Sequence, residues 1–228
     1  MSPVPRLVAA LFVLLLSYPL VSGGQVSWLK RERNAAVARK AKRYLLVPME
    51  TAVPEARIDM RYKVTSAAGK PLYPADLPCL VHRSTAAKLR LVAKELAEHG
   101  YALKIWDAWR PPEAHQALWD AVRDERFVVP PSKGLSWHCY GVSIDLTLVR
   151  LDGNEVAMPS RFDEFSPRAA SKYRGGDPEV ARRLELLQNA MRRQGFRTIE
   201  SEWWHFDDMK PQGGVRNVTA ADLGIRMP

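Results

Sequence analysis

From Ser84 to His99 the apolar residues Leu89, Val92 and Leu96 recur at the spacing of one helix face, and Gly100 follows where helices commonly stop. "YALKIWD", Tyr101 to Asp107, then reads as a strand. In "RPPEAHQALWDAVRD" two prolines lead into Ala114, Ala117, Leu118, Ala121 and Val122, the pattern of an amphipathic helix. Asp177 and Pro178 make a helix start, and Val180, Leu184, Leu187 and Met191 carry that helix to a stop at Gly195. Three segments carry strand patterns: "ARIDMRYKV", with a strand over Arg57 to Val64; "VSIDLTLV", ending at the turn "LDGNE"; and "FRTIESEWWHF". The stretches "SAAGKPLYPADLP", "FVVPPSKGLS" and "MPSRFDEFSPRAASKYRGG" read as turns and loops, as does the tail after Phe206. Two helices early, one late and strands gathered in the second half predict an α+β single domain. Its sheet is small, mostly antiparallel and flanked by helices.

Composition adds a beginning to this picture. The chain has 228 residues, 46% apolar and 26% charged, which suits one globular domain. Its start, "MSPVPRLVAALFVLLLSYPLVSGG", has one cation (Arg6), an apolar run from Leu7 to Leu16, Pro19, and small residues around Val21 and Gly23. That pattern reads as a secretory signal peptide over residues 1–23, with an uncleaved membrane anchor as the alternative. The expected location is therefore exported, most simply periplasmic. Residues 24–50 read as a basic N-terminal arm and 51–228 as the folded domain.

Charge is concentrated in that arm. "KRERNAAVARKAKR", Lys30 to Arg43, holds seven cations and one anion, six of the formal nine positive charges. It reads as a solvated arm, or as a segment drawn to an anionic membrane or wall surface. Nucleic acid is not an expected partner of an exported protein. The cations stand close behind an apolar run, which opposes export under the positive-inside rule. The only cysteines, Cys79 and Cys139, can form a disulfide in an oxidising compartment, closing a loop worth about 4 kcal/mol.

The candidate chemistry lies in two segments. In "SWHCYGVSIDLTL", His138 and Asp145 have six residues between them inside an apolar run. Alone they fit either a satisfied buried pair in a core strand or two metal ligands. "EWWHF" adds His205, with Glu202 three residues before it. In a regular strand that odd spacing sends the two side chains to opposite faces, so a shared site requires the strand to end or bend there. Two imidazoles and one carboxylate suit Zn²⁺ and leave its fourth position open for water. Glu202 then fits a general base, and Arg110 in "IWDAWRP" fits a stabiliser of developing negative charge, worth about 3 kcal/mol. By itself a lone arginine is more simply a surface ion pair.

Ser136, His138, Gly141 and Asp145 in the pattern SxHxxGxxxD, Glu202 to His205 as EWWH, and Trp106 to Pro111 as WDxxRP together resemble the D-alanyl-D-alanine dipeptidases of the VanX type, within peptidase family M15. The resemblance runs from about Ile58 to Phe206, with weaker echoes in "DMRY…GKPLY" and "TLVRLDGNEVAMPSRFDEF". It implies one Zn²⁺ per chain, at the sheet, held by His138, Asp145 and His205, with Glu202 as base and Arg110 steadying the transition state. It also implies that Asp163 holds the ammonium group of a small D,D-dipeptide and that Ser136 lines its pocket. The plainer reading of Asp163 is a turn or cap residue. The expected reaction is hydrolysis of D-Ala-D-Ala in cell-wall peptide turnover. The alternatives are a D,D-carboxypeptidase acting on peptidoglycan stem peptides, or a zinc-stabilised binding module without catalysis. Two departures stand out: the best-known members lack an export signal, and the loop before Ser136 is compact, with Pro130 and Pro131. Cys139 directly follows a ligand and can approach the metal only if the chain bends. His82, His99 and His115 match no motif.

Overall fold

Seven of the eight residues in the strand Ser143–Arg150 are buried. A strand buried on both faces needs a neighbour on each edge and a layer above and below, and the fold is arranged to supply them. The computed structural model describes residues 23–228; the expected signal peptide falls almost wholly outside the described residues. In chain order the elements are α1 (Gly23–Ala41), β1 (Leu46–Pro48), α2 (Met49–Ala52), β2 (Arg57–Ile58), β3 (Leu80–His82), α3 (Arg83–Glu98), β4 (Tyr101–Asp107), α4 (Pro112–Val122), β5 (Ser143–Arg150), α5 (Pro178–Arg193), β6 (Phe196–Thr198), β7 (His205–Asp208) and α6 (Ala220–Leu223).

The main sheet has the order β2-β4-β5-β7-β6. β2 runs parallel to β4, and every other pairing is antiparallel. β1 and β3 form a separate antiparallel pair. This is the expected α+β domain with a small, mostly antiparallel sheet. α3 packs on β4 and on α5. It buries Leu89, Val92 and Leu96, and α5 buries Val180, Leu184, Leu187 and Met191. Asp177 caps α5 through the N–H groups of Glu179 (2.8 Å) and Val180 (3.3 Å), a contact worth about 1 kcal/mol. Val37, Ala41, Leu46 and Met49, all before residue 51, belong to the same buried core. No helix among the described residues is long and apolar enough to cross a membrane.

Three expectations need correction, and the disulfide left open between the two cysteines does not form. The strand over Arg57 to Val64 stops at Ile58. The chain then turns through a short 3₁₀ segment, Arg61–Lys63, which carries Tyr62 inward, so the apparent alternation comes from a turn with one buried side. "FRTIESEWWHF" is two strands with a connection over residues 199–204. Trp203 and Trp204 are adjacent and both fully buried, held by the Trp203 N–H on the Ala169 carbonyl (2.8 Å) and the Leu146 N–H on the Trp204 carbonyl (3.0 Å). The tail is not all loop: β7 reaches Asp208, and α6 carries a capping box between Thr219 and Asp222. Cys79 and Cys139 are free, buried thiols, not a disulfide.

Gly141 closes the turn that leads into β5. Its φ of +70° lies in the left-handed region, and a Cβ there would sit 2.5 Å from Leu46 Cδ2 and 3.2 Å from the His82 backbone nitrogen. The close approach locks that turn against the β1–β3 pair. Gly141→Ala is expected to cost about 2–4 kcal/mol through backbone strain and overpacking. Thermal unfolding checks this, and a variant melting within a degree of the parent would contradict it.

Candidate active site

Strand pairing brings the first two candidate residues together. Asp145 on β5 lies directly across from His205 on β7. Side chains opposite each other on neighbouring strands share a face about 5 Å apart. His138 arrives from the side, on the 3₁₀ turn Trp137–Tyr140 that precedes β5. That turn is capped by Ser136, whose hydroxyl accepts the His138 N–H at 3.3 Å. Ligand atoms of all three residues lie within 4.8 Å of one another. His205 Nδ1 is 3.0 Å from Asp145 Oδ1, His138 Nε2 is 3.2 Å from His205 Nδ1, and His138 Nε2 is 3.4 Å from Asp145 Oδ1.

The outer hydrogen bonds fix which ring nitrogens face inward. His138 Nδ1 is 2.7 Å from the Ala108 carbonyl, an acceptor only, so Nδ1 donates and Nε2 keeps its lone pair. His205 Nε2 is 2.9 Å from Asp207 Oδ1 and donates to it, while Nδ1 faces Asp145 Oδ1. Burial works against a charge on this ring, but the two carboxylates raise its proton affinity well above that of an ordinary histidine, so a metal would take the place of the Nδ1 proton. With that proton displaced, two nitrogen lone pairs and a carboxylate oxygen converge on one point. That arrangement is repulsive unless a proton or a cation lies between them, and the donor set matches a divalent metal whose histidines are oriented by outer partners. Asp207 is itself held by Ser143 Oγ (2.5 Å) and Arg197 Nη2 (3.4 Å). Cys139 lies outside the trio; burial pushes its thiol up to about 12, leaving it neutral.

Glu202 sits in the 199–204 connection, not in a strand, which resolves its odd spacing from His205. Its Oε2 is 3.8 Å from His205 Nδ1. Arg110 is buried, so the surface ion pair is excluded. Its Nε donates to Asp107 Oδ2 (2.8 Å), its Nη2 reaches Asp145 Oδ2 (3.4 Å), and its Cζ lies 5.2 Å over the Tyr62 ring. The Arg110 backbone N–H donates to the His138 carbonyl (3.1 Å), tying the two residues. Tyr73 donates to the other oxygen of Asp107 at 2.7 Å. Asp163 accepts from Tyr62 Oη at 3.2 Å, and its φ of +56° is a strained conformation for a residue with a side chain.

Arg110, Ser136, His138, Asp145, Asp163, Glu202 and His205 all line one cavity of about 240 Å³, below the 300–1,000 Å³ of typical drug-sized sites; Asp107 and Tyr73 are not part of its lining. Arg110, His138, Asp145, Glu202 and His205 form its buried floor; Phe127, Ser136, Trp137, Phe165 and Arg197 stand at the more exposed rim. Every candidate from the sequence is therefore present. Tyr62, Tyr73, Asp107, Asp207 and Arg197 are additions. Asp107 lies in the WDxxRP stretch, and Asp207, two residues beyond His205, shares its face by strand alternation, so both left a signal. Tyr62 left none, because its segment reads as a strand.

The clustered carboxyls separate in proton affinity. Burial, then Asp145 and Asp163 against the opposing His205 and Arg110, raises Glu202 to about 8. Burial and the Asp145 charge raise Asp163 to about 7. Burial would also raise Asp145 and Asp207, but the imidazoles outweigh it. Asp145 is held well below the usual carboxylate range, and Asp207 is lowered to about 2.

With this geometry in place, the comparisons agree on one family. The family model for D-Ala-D-Ala dipeptidases, peptidase M15, matches residues 42–218. The chain is 37% identical over 164 residues to the D-alanyl-D-alanine dipeptidase of Escherichia coli (strain K12), spanning 71% of this chain and 83% of that one. It is 33% identical over 170 residues to the D-alanyl-D-alanine dipeptidase of Enterococcus faecium, spanning 66% and 84%. With the D-alanyl-D-alanine dipeptidase of Enterococcus faecalis (strain ATCC 700802 / V583), identity is 29% over the same length, again 66% and 84%.

Without a metal, Glu202 and Asp163 keep their protons at pH values where an unfolded chain has lost them. The folded state then binds more protons between about pH 4 and pH 8, and stability falls as pH rises through that window. Asp145 and Asp207 act oppositely, but only below about pH 4. His115, which burial lowers to about 4, and His82, also lowered by burial, act oppositely up to about pH 6.5, and the two raised carboxyls outweigh them. Chelator-treated protein is therefore expected to melt lower at pH 8 than at pH 5. A divalent cation, which favours deprotonated carboxylates, should raise the melting temperature more at pH 8. Calorimetry across that range checks both; a metal-free protein that gains stability toward pH 8 would refute the assignment.

Proposed function

The chain belongs to the peptidase M15 D-Ala-D-Ala dipeptidases, a family of metallopeptidases, and on that premise we propose that it hydrolyses D-alanyl-D-alanine with one zinc ion held by His138, Asp145 and His205. The observation that carries this reading is the inward convergence of His138 Nε2, His205 Nδ1 and Asp145 Oδ1, with Glu202 beside them in a small cavity. Zinc is favoured by two nitrogens and one oxygen with a fourth position left open.

A bound zinc ion supplies Lewis-acid chemistry, acidifying a water and polarising the scissile carbonyl. Glu202 takes a proton from the attacking water as the new C–O bond forms. It passes that proton to the leaving nitrogen as the C–N bond breaks, giving two molecules of D-alanine. Its high proton affinity in the metal-free site is drawn down toward neutrality by a nearby cation, which suits a group that must both accept and return a proton. Arg110, clamped by Asp107 and Asp145, presents a fixed positive charge to the oxygen on which negative charge develops. Asp163, with Tyr62 behind it, offers a carboxylate to the substrate ammonium, and Ser136 lines the pocket beside His138.

We also place the activity outside the cytoplasm, recovering dipeptide released from the cell wall. The support is the apolar run Leu7 to Leu16; the cationic stretch Lys30 to Arg43 weighs against export by the positive-inside rule, but outside the cytoplasm it suits contact with an anionic surface. Cell fractionation tests this: activity should follow periplasmic markers, with any membrane-bound share released by high salt. Recovery in the cytosol would refute it.

Purified protein should release D-alanine from D-Ala-D-Ala and not from a pentapeptide stem; release from the stem alone would make it a carboxypeptidase. Glu202→Ala should keep stoichiometric zinc while losing at least about 10²-fold in kcat. His138→Ala should lose metal and turnover together. An active Glu202→Ala protein would overturn the base assignment, and a zinc-replete wild type that turns over neither substrate would leave only a binding module.

A further inference from the structure

A free dipeptide is a zwitterion, and the dipeptidase reading, on which this inference rests, assigns a partner only to its ammonium end. The carboxylate also leaves water and needs a donor of opposite charge. Two arginines line the cavity, Arg110 and Arg197. Arg110 is committed: Asp107 and Asp145 share its guanidinium. Arg197 is not. Its side chain is 56% exposed, and its recorded contact is Nη2 to Asp207 Oδ2 at 3.4 Å. That is long beside the roughly 2.7–2.9 Å of a charge-assisted hydrogen bond. Its other N–H donors have no hydrogen-bond partner among the described residues.

The strand order decides where this cation stands. Tyr62, which holds Asp163, follows β2 at one edge of the sheet, and Arg197 lies on β6 at the other. The metal-ligand candidates Asp145 and His205 occupy β5 and β7 in between. β6 is two strands from β5, about 10 Å in backbone terms, a gap that an arginine side chain spans in large part. A dipeptide laid across the strands, ammonium toward Asp163 and scissile carbonyl over the central trio, directs its carboxylate toward β6. Arg197 reaches the cavity rim from that strand, paired in register with Asp207. We propose that Arg197 binds the terminal carboxylate of the substrate and so selects dipeptides that end in a free acid.

The test compares D-Ala-D-Ala with its C-terminal carboxamide, using zinc-loaded full-length protein and the variants Arg197→Gln and Arg197→Lys. The wild type should favour the free acid by about 10- to 100-fold in kcat/KM, the usual worth of a charged hydrogen bond. In Arg197→Gln the KM for the free acid should rise by that factor, with kcat within about threefold and zinc content unchanged. The preference should then collapse toward unity, and Arg197→Lys should retain part of it. A glutamine variant that keeps the full preference would overturn the proposal. So would one that loses zinc, or loses kcat equally on both substrates, because Arg197 would then act only by propping Asp207 and His205. A wild type that cleaves neither compound would instead remove the dipeptidase reading and this inference with it, a result distinct from an unchanged ratio.

Discussion

Everything in the site depends on the register between β5 and β7. Asp145 faces His205 because the two strands pair with those residues opposite each other. Side chains alternate with a period of two, so a slip of one residue would turn Asp145 to the far face and separate the trio. The register is held from both sides. β5 is buried along nearly its whole length, so a shifted pairing would strand its apolar residues, and the Trp204 carbonyl adds a bond to Leu146 just beyond the paired stretch. The same pairing places Ser143 opposite Asp207, which supplies the hydrogen bond that orients His205. One alignment thus sets two of the three candidate ligands and the group that orients one of them.

Burying so many charges is costly unless each finds a counter-charge. Arg110 answers Asp107 and Asp145; His205 lies between Asp145 and Asp207. Among the described residues Glu202 has only a share of His205, 3.8 Å away and already held between Asp145 and Asp207, and Asp163 has no ion pair; their carboxyls are the two with raised proton affinity. A divalent cation would supply the missing positive charge. The site therefore stands as a framework built around a charge that the side chains alone do not provide, with the surplus carboxylates placed where a water proton and an ammonium group would be handled.

Much of this was legible in the sequence where local pattern and chemistry coincided. The helices over Arg83–Glu98, Pro112–Val122 and Pro178–Arg193 announce themselves by period, proline and cap, since each buries one face. The trio with Glu202 and Arg110 was visible as motifs. What was obscured depends on distant contacts. Tyr62 sits in a segment whose alternation reads as a strand, yet β2 ends at Ile58 and the inward turn of Tyr62 is set by Asp163, about a hundred residues away. Trp203 and Trp204 hide the break between β6 and β7, because consecutive apolar residues read as a continuous buried strand. Here the backbone leaves the ladder and both rings enter an aromatic cluster with Trp106 and Phe162.

That cluster explains how Glu202 can lie in a connection and not in a strand. On β7, three residues before His205, Glu202 would face the wrong side of the sheet. Moving it into the turn frees its direction but would normally leave it mobile. The two buried indoles remove that mobility: Trp203 is anchored by its ring nitrogen on Ser160 at 3.0 Å and by its backbone on Ala169, and Trp204 packs edge-on against it. The adjacent tryptophans thus give a loop residue the positional definition of a strand residue. Glu202 can then approach His138, Asp145 and His205 from outside the strand ladder, which is where the proposed proton carrier for a substrate laid across those strands would stand.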